Sequence, residues 1–151
     1  MRPALLDNSA WARMCSPTRV PSGRRTELAD SITAGEIFVC LPFMLEAGYS
    51  ARNALAHDEL LCELLALPWA AIDATVEERA LEAQAQLARV GHHRLPPVDL
   101  LIAAIAERHR LGVLHYDADY DIIADRTDLS FESVWLADRG TLWARRETGT
   151  A

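Results

Sequence analysis

Five short runs of apolar, β-favouring residues alternate with longer helix-patterned stretches, and this alternation restricts the chain to an α/β fold with a mostly parallel sheet. The runs are residues 3–6, 37–41, 68–72, 113–116 and 131–136. Between them lie helical patterns at 10–14, 24–33, 42–56, 57–67, 75–90, 98–110 and 122–126. Parallel neighbours need long crossovers, and these helices supply them. The punctuation agrees. Asn8 and Ser9 can cap the first helix, and Gly35 and Gly112 stop two others. Pro42 suits a first helical turn. Pro17, Pro21, Ser22 and Gly23 mark a loop. No linker or repeat divides the 151 residues, which are expected to form one domain, 1–151, with a loose Trp-containing tail from about residue 137.

Composition removes several chemistries. Lysine is absent, so all 15 basic residues are Arg. P-loop nucleotide binding, Schiff bases and pyridoxal chemistry are therefore excluded. A net charge of −7 makes a poor general polyanion binder, unless carboxylates are gathered on metal ions. Cys15, Cys40 and Cys62 form no C-x-x-C pair, which speaks against a zinc knuckle or a disulfide framework. No apolar run nears the ~20 residues of a membrane helix, and the expected location is the cytoplasm.

The acids carry the functional signal. Asp7 closes the first strand run and Asp117 follows the fourth. In open parallel sheets, ligands sit outside the carboxyl ends of strands, so these two acids can face one crevice. Glu46 lies one turn into its helix with no basic neighbour at three or four residues. Asp99 falls in a first helical turn, where the helix dipole alone could account for it. Gathered carboxylates repel one another, and a divalent cation relieves that repulsion. Mg²⁺ or Mn²⁺ suits such oxygen donors.

LLDNSAW, LPFMLEAGYSAR, PPVDLLIAAIAERH and VLHYDADYDII resemble, in order, the acidic motifs of the PIN-domain ribonucleases, in particular the VapC-type toxins of toxin–antitoxin pairs. The resemblance covers residues 3–123. It implies a three-layer α/β/α fold around a central sheet of about five strands. It also implies a Mg²⁺- or Mn²⁺-dependent endoribonuclease, acting on transfer or ribosomal RNA and leaving 5′-phosphate and 3′-hydroxyl ends. A VapB-like antitoxin and a homodimer are the implied partners. Asp7, Glu46, Asp99 and Asp117 match the family acids, Asp119 a further acid of the last motif, and Ser9 a small hydroxyl residue beside the first Asp. Tyr120 departs from the Phe of many members. Two other readings remain: a non-catalytic PIN-like domain that binds RNA or protein, and a structure-specific DNA nuclease.

Substrate grip must come from arginine. Residues 8–26 and 83–98 contain no acid; the first holds Arg13, Arg19, Arg24 and Arg25, the second Arg89 and Arg94. Ser9, Arg13, Arg24, Arg25 and Arg94 are the residues expected at an RNA-binding rim, because guanidinium meets phosphate bidentately. The alternative is ordinary solvated loops. Asp117, Asp119, Asp121, Asp125 and Asp128 mimic a calcium loop, but Ile122 stands where that loop needs Gly. His115 and His109 are read as packing or helix-end residues. Val76, Ala80, Ala83, Leu87 and Val90 form an apolar stripe, for the protein's own core or, if exposed, for a partner.

Overall fold

Four of the five apolar runs pair as strands, and the run at 68–72 makes a single bridge. A computed structural model describes residues 1–16 and 19–142. Its strands are β1 (Ala4–Leu6), β2 (Ile37–Phe38), β3 (Gly112–His115) and β4 (Ser133–Trp135). All pairs are parallel, in the order β2-β1-β3-β4. The helices that flank the sheet are α1 (Asn8–Met14), α2 (Ser22–Thr33), α3 (Leu41–Tyr49), α4 (Ala54–Leu64), α5 (Ala74–Arg89), α6 (Pro97–His109) and α7 (Asp119–Arg126).

The strand expected over 68–72 is reduced to one bridge, Val39 to Trp69. Val39 N–H donates to the Pro68 carbonyl and Ala70 N–H to the Val39 carbonyl. Pro68 has no N–H to extend the ladder, and by Asp73 the chain is already capping α5 through the Val76 N–H. The long helix expected over 42–56 also divides. α3 ends at Tyr49, and Asn53 caps α4 by accepting the Ala56 N–H.

Two glycines have different tasks. Gly35, at φ 71°, closes α2 in a Schellman turn, with Gly35 N–H on the Ile32 carbonyl and Glu36 N–H on that of Ser31. Gly112 does not stop α6 as its position in the sequence suggests; Arg110 takes the left-handed turn instead, at φ 57°. Gly112 belongs to β3, where a Cβ would meet Val134 Cγ2 at 3.1 Å and the Glu132 carbonyl at 3.2 Å. It is needed for close approach to β4.

The core centres on α6. Ile102, Ala103, Ala104, Ile105 and Ala106 are all fully buried, and α6 packs on β1, β3, α3, α5 and α7. A helix buried on so many sides must be apolar nearly all round. The α5 stripe packs on it: Val76, Ala83 and Leu87 are fully buried, whereas Val90 is exposed. The stripe therefore belongs to the protein's own core. Arg79 joins three segments, pairing with Glu82, Glu107 and Asp128. Trp143 and most of the expected loose tail, like Pro17, lie outside the described residues. Among the described residues, no helix is long and apolar enough to cross a membrane.

Candidate active site

The sheet order makes the crevice. From β1 the chain crosses to β2 on one side, and it later returns to β3 on the other, so the topology switches between β1 and β3. With all strands parallel, their carboxyl ends share one edge, where such sheets bind ligands. Asp7 leaves β1 at that edge. It is also the N-cap of α1, a role the sequence pattern suggests for Asn8 or Ser9. One of its oxygens, Oδ2, accepts the Ser9 N–H at 2.8 Å and the Ser9 hydroxyl. Ser9 Oγ in turn accepts the Tyr116 N–H at 2.9 Å, tying α1 to the loop after β3.

That loop brings the next acids. Asp117 accepts the Asp119 N–H at 3.0 Å, which starts α7 and sets Asp119 in its first turn. Asp99 comes from the first turn of α6 and is buried. Ligand oxygens of Asp99, Asp117 and Asp119 all lie within 4.8 Å of one another. Tyr120 bridges to Asp7: its hydroxyl donates to Asp7 Oδ1 at 2.7 Å and lies 3.5 Å from Asp99 Oδ1. Glu46, on α3, sits at the exposed rim. Asp7, Asp99, Asp117 and Asp119 thus converge, and Glu46 stands close enough for its charge to be felt by Asp99.

The electrostatics follow from that crowding. Burial pushes the Asp99 carboxyl up to about 7, helped by the charges of Asp7, Asp117, Asp119 and Glu46. Glu46 is raised by desolvation and then by Asp7. Asp119 is raised by desolvation and then by Asp117. The ion pairs of Arg2, Arg24, Arg79, Arg108 and Arg126 all lie elsewhere. Asp99 Oδ2 is buried with no hydrogen-bond partner among the described residues. A buried carboxylate oxygen left without a donor is costly, and a hard divalent cation supplies what it lacks. The donor set, all carboxylate oxygen, fits Mg²⁺ or Mn²⁺.

The arginines divide. Arg13 donates to the Ser9 carbonyl at 2.7 Å and lies over the Tyr116 ring at 4.3 Å. Arg24 is directed inward, to the Trp135 and Leu136 carbonyls at 3.1 Å and to Glu27. Its guanidinium anchors the end of β4, so a phosphate would have to displace three internal contacts. Arg25 and Arg94 are exposed. The calcium-loop resemblance dissolves. Asp121 accepts from Ser133 and Trp135, Asp125 pairs with Arg126, and Asp128 with Arg79.

Sequence reasoning does not find Tyr120 as a hydrogen-bonding member of the cluster, nor the contacts of His115. A hydroxylated aromatic next to Asp119 is a signal for the first. The second has none, because β3 and β4 are brought together only by the fold.

Residues 4–126 match the family model described as PIN domain. The chain belongs to the PIN domain family. Within it, the chain is 38% identical over 140 residues to Ribonuclease VapC18 of Mycobacterium tuberculosis, covering 91% of this chain and 97% of that protein. It is 36% identical over 138 residues to Ribonuclease VapC51 of the same organism, covering 91% and 96%. In fold it is similar to the DNA-bound VapBC structure from Salmonella typhimurium, with a TM-score of 0.69 and 18% identity, over 91% of this chain and 100% of that one. It is likewise similar to VapBC2 from Rickettsia felis bound to a promoter DNA fragment, with a TM-score of 0.68 and 15% identity, over 87% and 98%.

Proposed function

We propose that this protein is a divalent-metal-dependent endoribonuclease, the toxin of a type II toxin–antitoxin pair, acting on transfer or ribosomal RNA in the cytoplasm. The observation that carries the reading is the cluster itself: three carboxylate oxygens within 4.8 Å, one carboxylate with a bare buried oxygen, at the switch point of a parallel sheet. Such an assembly without a cation is electrostatically unfavourable. The names of the similar proteins, Ribonuclease VapC18 and Ribonuclease VapC51, support the substrate class.

Asp7, Asp99 and Asp117, with Asp119 and Glu46 directly or through water, would hold Mg²⁺ or Mn²⁺. When bound, such a cation lowers the pKa of water and offsets charge on a phosphodiester. The chain's own residues do the rest. Ser9 and Tyr120 orient Asp7, and the Asp117 turn carries Asp119 toward Asp99. Arg13, with the exposed Arg25 and Arg94, forms the proposed set of phosphate contacts, because guanidinium meets phosphate bidentately. No side chain is needed as nucleophile.

A VapB-like antitoxin and a second copy of the chain are the proposed partners. The VapBC complexes among its fold relatives support the first. Exposed Leu41, Leu45, Tyr49, Leu55 and Leu65, on and just after α3 and α4, provide apolar surface for a protein to cover.

The test compares single-stranded RNA, transfer RNA and DNA with the purified protein in Mg²⁺, in Mn²⁺ and in EDTA. RNA is expected to be cut only with metal, and Asp7→Asn to abolish cutting while keeping the far-UV spectrum. Equal cutting by the Asn variant would remove Asp7 from the site. A DNA preference would replace the substrate class.

A further inference from the structure

Tyr120 is fully buried, and its ring packs against His115 with centroids 4.8 Å apart. A phenylalanine ring would fill the same space. The hydroxyl is the part that packing does not require, and a buried hydroxyl is costly unless it is bonded. Here it is aimed between two carboxylates, 2.7 Å from Asp7 Oδ1 and 3.5 Å from Asp99 Oδ1. A phenol has one proton, so it donates to one of them at a time. The shorter distance gives that proton to Asp7. Ser9 holds the opposite Asp7 oxygen, so the carboxylate is gripped at both ends and cannot rotate freely. Asp99 meanwhile shows Oδ1 to the phenol and keeps Oδ2 bare.

We propose that Tyr120 is a positioning residue of the metal centre. Its hydroxyl fixes the plane of the Asp7 carboxylate beside Asp99, whose partnerless Oδ2 is the oxygen offered to the cation. The inference rests on reading the acid cluster as a cation site. It goes further in giving a task to a residue that touches no substrate. Groups that orient metal ligands commonly change metal affinity by about 10–100-fold when removed.

The experiment titrates Mn²⁺ into the full-length parent and Tyr120→Phe by calorimetry, with folding checked by circular dichroism in EDTA. The Phe variant is expected to stay folded and to bind Mn²⁺ about tenfold more weakly, near the low end of that range. The metal concentration for half-maximal RNA cleavage should rise in parallel, while the rate at saturating metal changes much less. A Phe variant that is less heat-stable in EDTA but binds Mn²⁺ as tightly as the parent would give the hydroxyl a purely structural role, and that result overturns the proposal. A parent that binds no Mn²⁺ overturns the cation reading itself. A second readout needs no variant at position 120. Fluorotyrosine labelling reports the three tyrosines, of which Tyr49 is 92% exposed and Tyr120 buried. Mg²⁺ should shift the ¹⁹F signal best shielded from a soluble paramagnet. If that signal does not move, the proposal fails even where Tyr120→Phe does not fold.

Discussion

His115 accepts the backbone N–H of Asp117 at Nδ1, 3.1 Å away, so the strand that delivers the acidic loop also fixes its first carboxylate. With Nδ1 accepting, Nε2 carries the proton and donates to Ser133 Oγ at 2.7 Å. The Ser133 hydroxyl then donates to Asp121 Oδ1 at 2.6 Å, and the Trp135 indole N–H reaches Asp121 Oδ2 at 3.1 Å. One chain of hydrogen bonds thus runs from the acidic loop through β3 and β4 to α7. Burial holds His115 below its usual range, which suits a neutral ring.

His115→Phe keeps an aromatic ring between Tyr120 and Trp135 but removes both nitrogen contacts. Leaving the partners of a buried hydrogen bond unsatisfied costs about 1–3 kcal/mol. Urea denaturation should show a loss of that order. RNA cleavage should also slow, because Asp117 is no longer fixed through its backbone. Unchanged stability would mean that water replaces the imidazole at little cost.

Metal-free stability should depend on pH through the acid cluster. Asp99 has its folded pKa raised from 3.8 to about 7, so between those values the unfolded chain binds fewer protons than the folded one. Stability must then fall as pH rises across that window. Glu46 and Asp119, also raised, act in the same sense. His115, lowered, acts in the opposite sense near its own range, so the diagnostic quantity is a difference. Thermal melts in EDTA from about pH 5 to about pH 7 should show the parent losing more stability than Asp99→Asn, whose side chain does not ionise. Saturating Mg²⁺ should remove most of the parent's loss. A parent curve parallel to that of the Asn variant would show that Asp99 does not carry this linkage.

What the sequence makes legible, and what it hides, follows from how local each feature is. β1, β3 and the acids at their ends can be read directly, because apolar runs and the acids that follow them are local. Glu46 is legible because its helical neighbours are known from spacing alone. The strand expected over 68–72 does not extend as a strand, since Pro68 removes a donor and only Val39 lies opposite. Gly112 looks like a helix stop because glycine serves both purposes. Only the closeness of Val134 and Glu132 assigns it to the sheet. The Ser133–His115–Asp117 chain joins residues on two strands and a loop, and no spacing rule reports on it. Arg24 shows the same limit from the other side: its place in an acid-free segment suggests RNA, whereas its partners lie 111 and 112 residues away at the end of β4.

Arg13 and Arg24 should therefore behave differently, although both come from the same acid-free segment. Arg13 lies over the ring of Tyr116, which precedes Asp117, and donates to the carbonyl of Ser9, which holds Asp7. In an Asp7→Asn background, in which cleavage is expected to be abolished, Arg13→Ala should weaken binding of single-stranded RNA. It should also lower the steepness of log K against log salt by about 0.7 for each phosphate that the guanidinium neutralises. Arg24→Ala should leave RNA affinity and salt slope nearly unchanged but reduce the melting temperature, because the Trp135 and Leu136 carbonyls lose their donor. Fluorescence anisotropy across a salt series, paired with thermal melts, separates the two effects. If Arg24→Ala flattened the salt dependence as much as Arg13→Ala, its guanidinium would have to leave β4 to reach the RNA. The internal contacts would then describe the free protein alone.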